Sequence, residues 1–389
     1  MNSPWRRWFS GIAFSALAVT LTLTLPFTTP LARSADAEGF EPLFNGRDLT
    51  GWVNVNCAPE TYVVKDGMIH CDGLPTGALR TTRQYENFIL ELDWRHLVPA
   101  GNSGIFIWAS PLPAPGQPFL RAVEVQVLDT GYGESDWYTT HGDVFPIHGS
   151  SMKPFSPSKG DRSFPREKHS HPSPEWNHYR IVATNGVLRL SVNGTEVSGG
   201  TNCNWRRGYI GLESEGGTVD FRNLRIREFP GSGASPEQSA PAAEAWRSLY
   251  DGRGLRGWIP PVNQPGIWTN ADWTLRSTAS ATPDAILWSQ GTVTANDWFF
   301  DWRWETPTTD RVPPLTLRFS DATQPTPFPL LTAAKPTAWN RLKCHRRGAT
   351  LELELNGEPA GTLTIPTGPF SLGLRPGAVP ISFGNIFVK

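Results

Sequence analysis

The chain has 389 residues, too many for one ordinary hydrophobic core and enough for two β domains of about 150 to 200 residues each. Its formal net charge is −1, which excludes a general nucleic-acid binder because no surplus of cations can displace counterions from phosphates. Only 18% of the residues are charged, yet there are 17 tryptophans, which is typical of a large β core or of rings that stack on sugars.

The N-terminal segment, residues 1–37, has the layout of a cleaved signal peptide. Arg6 and Arg7 precede an apolar stretch over residues 11–27, and small residues follow at 35–37. We therefore expect a periplasmic or secreted protein; an uncleaved membrane anchor is the alternative interpretation. No later segment is long and apolar enough to span a bilayer, so no other membrane contact is expected.

Short strands bounded by Gly, Pro, Asn or Asp dominate the rest of the chain, and no segment shows a long helical period. Examples are residues 88–94, 104–108, 122–128, 178–183, 187–192 and 218–227. Such strands, punctuated by 36 prolines and 37 glycines, predict antiparallel sandwiches of the jelly-roll kind. Cys57 and Cys71 flank one predicted hairpin, and an exported chain can join them in a disulfide.

An internal repeat indicates two copies of one domain. The segment "FNGRDLTGW" at residues 44–52 recurs as "YDGRGLRGW" at 250–258, and "WNHYR" at 176–180 recurs as "WNRLK" at 339–343. We expect a signal peptide over 1–37, a first domain over 38–229, a linker over 230–245 and a degenerate second domain over 246–389. Only the first copy has polar motifs between these repeated segments, so we place the functional site in the first copy.

Two irregular stretches interrupt the strands. The linker is rich in Gly, Ser, Ala and Pro, which is typical of a poorly ordered connector between domains. The stretch 149–174 is a long loop for a compact domain, and such loops are often functional. Because it follows directly after a histidine motif, we expect a lid or a wall of the substrate site.

The segment "EVQVLD" at residues 124–129 carries the first candidate side chains. Val123, Val125 and Val127 share one strand face, so Glu124 and Gln126 share the other. On a curved sandwich that face lines a cleft, whereas on a sheet edge it is ordinary surface. Asp129 has the opposite parity and joins Glu124 only through a bulge or turn.

A second group follows on a loop, where His141, Asp143 and His148 fall within eight residues. A histidine beside a carboxylate can act as a general base near neutral pH. Together with Glu124, the histidines His141 and His148 can instead hold a divalent metal ion. The sequence leaves both interpretations open, beside that of solvated loop residues.

Further side chains can contact a ligand. Asn102, in the tetrapeptide "GNSG", can present an amide to a hydroxyl group, although a plain turn is the commoner meaning. Arg80 and Lys153 are candidate cations for a carbonyl or enolate oxygen. Glu213 and Glu215 alternate with apolar residues and should leave the core face. Surface charge is the ordinary interpretation of the charged residues in this group.

Taken together, the motifs resemble one family. "LFNGRDLTGW", "GNSGIF", "EVQVLD", "THGDVFPIHG", "EWNHYRI", "NGTEVSGG" and "GLESEGGTVDFRNLRI" occur in the order found in the 3-keto-disaccharide hydrolase domain family, also described as 3-keto-glucoside 1,2-lyase and 3-keto-2-hydroxyglucal hydratase. The resemblance covers residues 40–229. It implies a concanavalin-like jelly roll and an oxidised (3-keto) glycoside as the substrate, met outside the cytoplasm. The family's commoner pattern has Gln and His where this chain has Glu213 and Glu215.

The chemistry implied by that resemblance gives the residues roles. A ketone at C3 acidifies the hydrogen on C2, and loss of that proton expels the aglycone from C1; water can then add to the resulting glucal. We assign His141 or Glu124 as the base, with Asp143 orienting the histidine and His148 as a metal ligand or proton donor. Hydroxyl groups or the ketone oxygen would be held by the remaining candidates, namely Asn102, Gln126, Lys153, Arg80 and Glu213.

Two other functions fit parts of the sequence. Glu124, Gln126 and Asp129 occupy the spacings of the Glu-x-Asp-x-x-Glu motif of laminarinase-like jelly rolls, which hydrolyse glycosides directly. Gln126 lacks the carboxylate that this chemistry requires. A non-catalytic carbohydrate-binding module is the second alternative, because the second copy is rich in tryptophan and lacks an acid cluster.

Overall fold

The computed structural model describes residues 38–243, 245–279, 285–308, 313–319, 324–329 and 331–389. The predicted signal peptide therefore lies outside the described residues. The described residues form one compact unit, within which two pairs of sheets make up two lobes. The only helical elements in the described part of the chain are single 3₁₀ turns at Thr130–Tyr132, Lys159–Asp161 and Pro236–Gln238. No helix among the described residues is long and apolar enough to cross a membrane.

The first lobe is a sandwich of two antiparallel sheets. Its strands are β1 (Glu41–Pro42), β2 (Trp52–Val55), β3 (Tyr62–Lys65), β4 (Met68–Cys71), β5 (Gly77–Thr81), β6 (Phe88–His96), β7 (Asn102–Ala109), β8 (Ala122–Leu128), β9 (Val144–Ile147), β10 (Ser151–Pro154), β11 (Asn177–Thr184), β12 (Val187–Val192), β13 (Thr195–Asn204), β14 (Tyr209–Ser214) and β15 (Val219–Glu228). One sheet runs β10-β13-β12-β11-β6-β15-β4-β3, with β1 beside β15, and the other runs β2-β5-β14-β7-β8-β9.

The second lobe repeats this plan with fewer strands. Its strands are β16 (Arg247–Ser248), β17 (Trp258–Ile259), β18 (Trp268–Ala271), β19 (Thr274–Ser277), β20 (Leu287–Ser289), β21 (Asp297–Trp304), β22 (Leu315–Phe319), β23 (Thr326–Pro327), β24 (Asn340–Arg347), β25 (Thr350–Leu355), β26 (Glu358–Thr364), β27 (Phe370–Leu374) and β28 (Ile381–Val388). The sheets run β18-β19-β28-β21-β24-β25-β26, with β16 beside β28, and β17-β20-β27-β22-β23. The predicted fold class, two tandem concanavalin-like jelly-roll sandwiches with the second degenerate, is confirmed.

Alternation of side chains explains why these segments become strands. In β11, every second residue is buried and packs into the core, while the residues between them are half-buried. The core of the first lobe includes Trp94 and Tyr179, whose rings meet edge to face at 5.3 Å. The second lobe has its own core, rich in tryptophan and phenylalanine.

The repeat is also visible in the hydrogen bonds of equivalent residues. Asp93 on β6 accepts hydrogen bonds from the side chains of His178 and Asn223. At the equivalent place on β21, Asp301 accepts hydrogen bonds from Arg341 and Asn385. The two lobes therefore share the same arrangement of their central strands.

The lobes meet through the outer face of the six-stranded sheet. Phe106 and Tyr209 from that face belong to one buried cluster with Phe299 and Phe387 of the second lobe. Asp301 fixes the contact, since its buried carboxylate also accepts a hydrogen bond from the backbone of Gly116 at 2.7 Å. The second lobe thus covers much of a face for which the sequence left two interpretations open, a cleft wall or ordinary surface.

Two expectations are corrected by the structure. The connector after residue 229 lies against the first lobe: Gln84 donates hydrogen bonds to the Ala240 and Pro241 carbonyls, and the Ala243 amide donates to the Tyr209 hydroxyl. The Gly- and Pro-rich composition of this connector therefore reflects turns and not a flexible linker. The thiols of Cys57 and Cys71 are both buried and free, so the expected disulfide is absent.

Candidate active site

The register of β7, β8 and β14 gathers polar side chains on the outer face of the six-stranded sheet. Phe106 lies opposite Glu124, and Gly104 lies opposite Gln126. On β14, Glu213 has the parity of Gly211, which pairs with Phe106, so it shares this face. The predicted grouping of Glu124 and Gln126 therefore extends across three strands.

Glu124 and Glu213 meet above a glycine. A methyl group added at Gly104 would lie 2.8 Å from Glu124 Oε1 and 2.8 Å from Glu213 Oε2. The absence of a side chain at this position is what allows both carboxyl groups to occupy the same space. Glu124 is 6% exposed and Glu213 1% exposed, and Glu213 Oε2 is buried without a hydrogen-bond partner among the described residues.

Burial and mutual repulsion favour the protonated form of these groups. The pKa of Glu124 is raised to about 8, mainly by burial and to a lesser extent by the negative charge of Glu215. Burial and the neighbouring charges of Glu124 and Glu215 raise the pKa of Glu213 well above its ordinary value. Burial and then the charge of Asp272, in the second lobe, raise the pKa of Glu215 to about 7. Glu124 and Glu213 therefore favour the protonated form near neutral pH, whereas Glu215 is partly ionised there.

A chain of side chains orients Glu215. The side-chain amide of Asn102 donates a hydrogen bond to Glu215 Oε2, and Gln126 Nε2 donates to Asn102 Oδ1 at 2.7 Å. Arg162 Nη1 in turn donates to Gln126 Oε1 at 3.4 Å. Asn102 and Gln126 were expected to hold sugar hydroxyls, whereas the structure uses their amides to position a carboxylate.

The expected pairing of Asp143 with His141 is wrong. Asp143 is fully buried and accepts hydrogen bonds from the backbone amide and the hydroxyl of Thr139 and from Arg162 at 3.1 Å. The ring of His141 instead faces Glu134, with 3.4 Å from Nε2 to Oε1, and accepts a hydrogen bond from the Ser170 amide. Burial lowers the pKa of His141.

Three other predicted residues do not reach the carboxyl cluster. The ring of His148 stacks on Phe119, with centroids 5.9 Å apart, and its burial lowers its pKa. Lys153 is exposed on β10, the edge strand of the other sheet. Arg80 lies on the outer face of the six-stranded sheet, but its guanidinium donates to the Pro111 and Thr81 carbonyls rather than facing a cavity.

The metal-binding interpretation is not supported by the geometry. Across the described ranges, no group of three or more His, Cys, Asp or Glu side chains is arranged to hold a metal ion. Glu124, His141 and His148 therefore do not form a ligand set.

A cleft of about 560 Å³ opens between the lobes beside Glu215. This volume lies within the range of about 300–1,000 Å³ found for small-molecule sites. Residues from both lobes line it, namely Thr76, Gly116, Gln117, Pro118, Phe119, Glu215, Ala271, Trp273, Thr274, Arg276, Arg303, Glu305, Trp339 and Ser382. Glu215 is thus the member of the carboxyl cluster that faces a cavity.

Two contributors were missed from the sequence. Glu215 was noted only as leaving the core face, although its two-residue spacing from Glu213 already placed both on one side of the strand. Arg162 lies in the long loop 149–174 and stacks over Phe145, with 3.3 Å from Cζ to the ring centroid. No local pattern marks it, because its partners Gln126 and Asp143 come from distant segments.

Comparison with known protein families places a match on the first lobe. Residues 39–227 match the family described as the 3-keto-alpha-glucoside-1,2-lyase-like domain. A 3-keto-disaccharide hydrolase of Bacteroides thetaiotaomicron is 24% identical, covering 49% of this chain and 79% of that protein. A solved structure from Parabacteroides distasonis, provisionally named a glycosyl hydrolase, is 24% identical with a TM-score of 0.37, covering 50% of this chain and 95% of that one. The carbohydrate-binding module of family 66 from Bacillus subtilis is 12% identical with a TM-score of 0.33, covering 46% and 96%.

Proposed function

The first lobe, residues 39–227, belongs to the 3-keto-α-glucoside-1,2-lyase-like domain family, and from this membership we propose that the chain is a glycoside-processing enzyme that cleaves 3-keto-glucosides. The family resemblance seen in the sequence motifs is thereby confirmed. The overall reaction is a hydrolysis, reached by elimination followed by addition of water.

The reaction needs a base and an acid at defined places. A base removes the proton from C2, the bond between C1 and the aglycone oxygen breaks, and an acid protonates that oxygen. The product is 3-keto-2-hydroxyglucal, with a double bond between C1 and C2. Water then adds to C1 while a proton returns to C2, which gives the free 3-keto sugar.

The carboxyl cluster supplies both functions in this proposal. Glu215 is the base, because it faces the cleft and its pKa of about 7 leaves it partly ionised at neutral pH. Glu215 can then pass this proton to the leaving oxygen as the acid, because it is the carboxyl group of the cluster that lines the cleft. Glu124 is buried and does not line the cleft, and burial keeps it protonated beside the site. Asn102 and Gln126 are positioning residues for Glu215. Arg276 lines the cleft and can supply the positive charge that stabilises an enolate oxygen.

One observation carries the proposal: three carboxyl groups with raised pKa values lie on one face, and one of them opens into a cleft of suitable size. Ionisable groups with shifted pKa values in a cleft are typical of acid–base catalysis.

The test is release of the aglycone from a 3-keto-glucoside. We expect Glu215→Gln to lower kcat by about 10²–10⁴-fold, and Glu124→Gln, which changes a buried carboxyl group beside the site, to lower kcat by a smaller factor. Glu175→Gln, at an exposed position outside the cluster, is the matched control and should retain wild-type kcat. Wild-type rates in both cluster variants would remove the assignment.

Direct hydrolysis of an unoxidised glycoside is a second candidate, favoured by one observation. Because Glu124 Oε1 and Glu213 Oε2 each lie 2.8 Å from one point, the two oxygens are no more than twice that distance apart. Retaining glycosidases place their two carboxyl groups about 5–5.5 Å apart. Both side chains are buried and neither lines the cleft, however, which disfavours a direct displacement by this pair.

The site of action is a further part of the proposal. The basic, apolar and small-residue layout of residues 1–37 supports export to the periplasm or the medium. N-terminal sequencing of the protein recovered from the periplasmic fraction of the cells tests this. A mature chain that starts close to residue 38 is expected, and an intact N-terminus in the cytoplasmic fraction would contradict it.

A further inference from the structure

The wall of the inter-lobe cleft opposite Glu215 is built from the second lobe. The rings of Trp273 and Trp339 lie 5.1 Å apart at an angle of 35°. The guanidinium of Arg303 lies 5.1 Å from the Trp339 centroid and pairs with Glu305 at 3.2 Å. Glu305 is held in place by the hydroxyl of Ser382. All five residues line the cleft.

The repeat explains how this wall arises. In the first lobe, the equivalent tryptophan, Trp176, is stacked by Arg95 at 4.5 Å and by Arg222 at 3.8 Å. In the second lobe Arg303 takes the place of Arg95, but glycine stands at 384 where the first lobe has Arg222.

Trp273 occupies the space that this exchange opens. A methyl group at Gly384 would lie 2.2 Å from the ring of Trp273. The second lobe has therefore replaced one of two arginines by an aromatic ring. In the first lobe, two arginines pack on Trp176. In the second lobe, Trp273 and Trp339 pack on each other, and both line the cleft.

An aromatic pair with fixed hydrogen-bonding groups suits one class of ligand. The C–H face of a sugar ring is apolar and packs on an indole, while its hydroxyl groups bond to charged side chains at the rim. Arg303 and Glu305 supply a donor and an acceptor beside the Trp339 ring. Glu215 lines the same cleft, so a sugar ring stacked on Trp339 would share one cavity with the proposed base.

We propose that the second lobe forms the subsite for the leaving-group sugar of a 3-keto-disaccharide, with Trp339 as its stacking platform and Arg303 as its hydrogen-bonding partner. This inference rests on the proposed function and adds to it a substrate-binding role for the second lobe. The family domain ends within the first lobe, and the second lobe thereby acquires a role in choosing the substrate.

The test compares two substrates, a 3-keto-disaccharide and a methyl 3-keto-glucoside, which lacks the second ring. We expect Trp339→Ala to raise KM for the disaccharide about tenfold, and to change KM for the methyl glucoside less than twofold. Arg303→Gln should act in the same direction without removing a ring that packs between the lobes. Trp176→Ala, at the equivalent position of the first lobe, is the matched control and should change neither KM.

The subsite proposal would be contradicted if the variants changed KM equally for both substrates. It would also be contradicted if neither Trp339→Ala nor Arg303→Gln changed KM for the disaccharide. Thermal melts of each variant identify any that fails to fold, in which case Arg303→Gln decides. If the wild type cleaves neither substrate, the proposed function fails instead. Calorimetric titration with the disaccharide then tests the cleft alone: binding by the wild type but not by Trp339→Ala supports the subsite, and equal binding contradicts it.

Discussion

Asp272 of the second lobe acts electrostatically on Glu215 of the first: burial of Glu215, and then the charge of Asp272, raise the pKa of Glu215 to about 7. Asp272 is held at the lobe boundary by a 2.8 Å hydrogen bond from the Thr76 amide. The second lobe therefore influences the protonation of the carboxyl group that we assign as the base.

Replacement of Asp272 by asparagine should shift the pH profile. Asn keeps an oxygen for the Thr76 amide but removes the charge, so the pKa of Glu215 should fall. A base must be ionised to act, and the acidic limb of kcat/KM should move to lower pH by a fraction of a unit. Asp251→Asn, which removes a different second-lobe carboxylate that pairs with Arg256, is the control and should leave the limb in place. An unchanged limb in Asp272→Asn would show that the two carboxyl groups do not interact.

Gly104→Ala should lower activity. The added methyl group would meet oxygens of Glu124 and Glu213 at 2.8 Å, and two buried side chains have little room to move away. We expect kcat to fall at least tenfold, with a loss of about 1–3 kcal/mol of unfolding free energy. Kinetics and urea unfolding measure the two effects.

Gly231→Ala provides the comparison for this experiment. A methyl group there would also meet a carboxylate oxygen, from Glu86, at 2.8 Å, but this residue lies on an exposed segment. Activity and stability should stay close to wild type. Wild-type activity in Gly104→Ala would mean that the carboxyl pair does not need its present spacing.

Stability should fall as pH rises from about 5 to 8. The folded protein raises the pKa values of Glu124, Glu213 and Glu215 above 4.5, so it retains protons that the unfolded chain has released. Where the folded state binds more protons, the free energy of unfolding decreases with pH. Glu213→Gln should flatten this slope, as measured by thermal melts across the range. A slope equal to that of wild type in this variant would contradict the raised pKa.

Asp301→Ala should loosen the contact between the lobes. Its fully buried carboxylate accepts hydrogen bonds from Arg341 at 2.7 and 2.9 Å and from the Gly116 amide at 2.7 Å. Removing one partner of a buried ion pair costs about 3–5 kcal/mol. We expect lower stability by denaturant unfolding and a higher KM for substrate, since the cleft wall would separate. Asp93→Ala, its equivalent in the first lobe, should leave KM unchanged; equal KM values in both variants would argue that the lobe contact does not shape the site.

The sequence predicted what depends on local periodicity. Alternation along β8 placed Glu124 and Gln126 together, and parity correctly separated Asp129, which instead accepts hydrogen bonds from the Ala100 and Gly131 amides. The internal repeat predicted two sandwiches of similar plan.

Features that depend on contacts between distant segments could not be predicted from the sequence. Asp143 and His141 are neighbours in sequence, yet Asp143 is directed at Arg162, whose loop position carries no periodic signal. The covering of the six-stranded sheet by Phe299 and its neighbours needs two lobes to dock, which no strand pattern encodes. For the same reason Lys153 was assigned to the site although it lies on the opposite sheet.

The most direct test of the account is to follow the hydrogen at C2. A 3-keto-glucoside is cleaved in deuterated water, and the released sugar is analysed by mass spectrometry and NMR at early turnover, with a sample of enzyme-free product to correct for spontaneous exchange. Elimination followed by hydration predicts one solvent deuterium at C2 in nearly every product molecule, together with loss of turnover in Glu215→Gln. Product that retains its original hydrogen at C2 would contradict the mechanism and indicate direct displacement at C1.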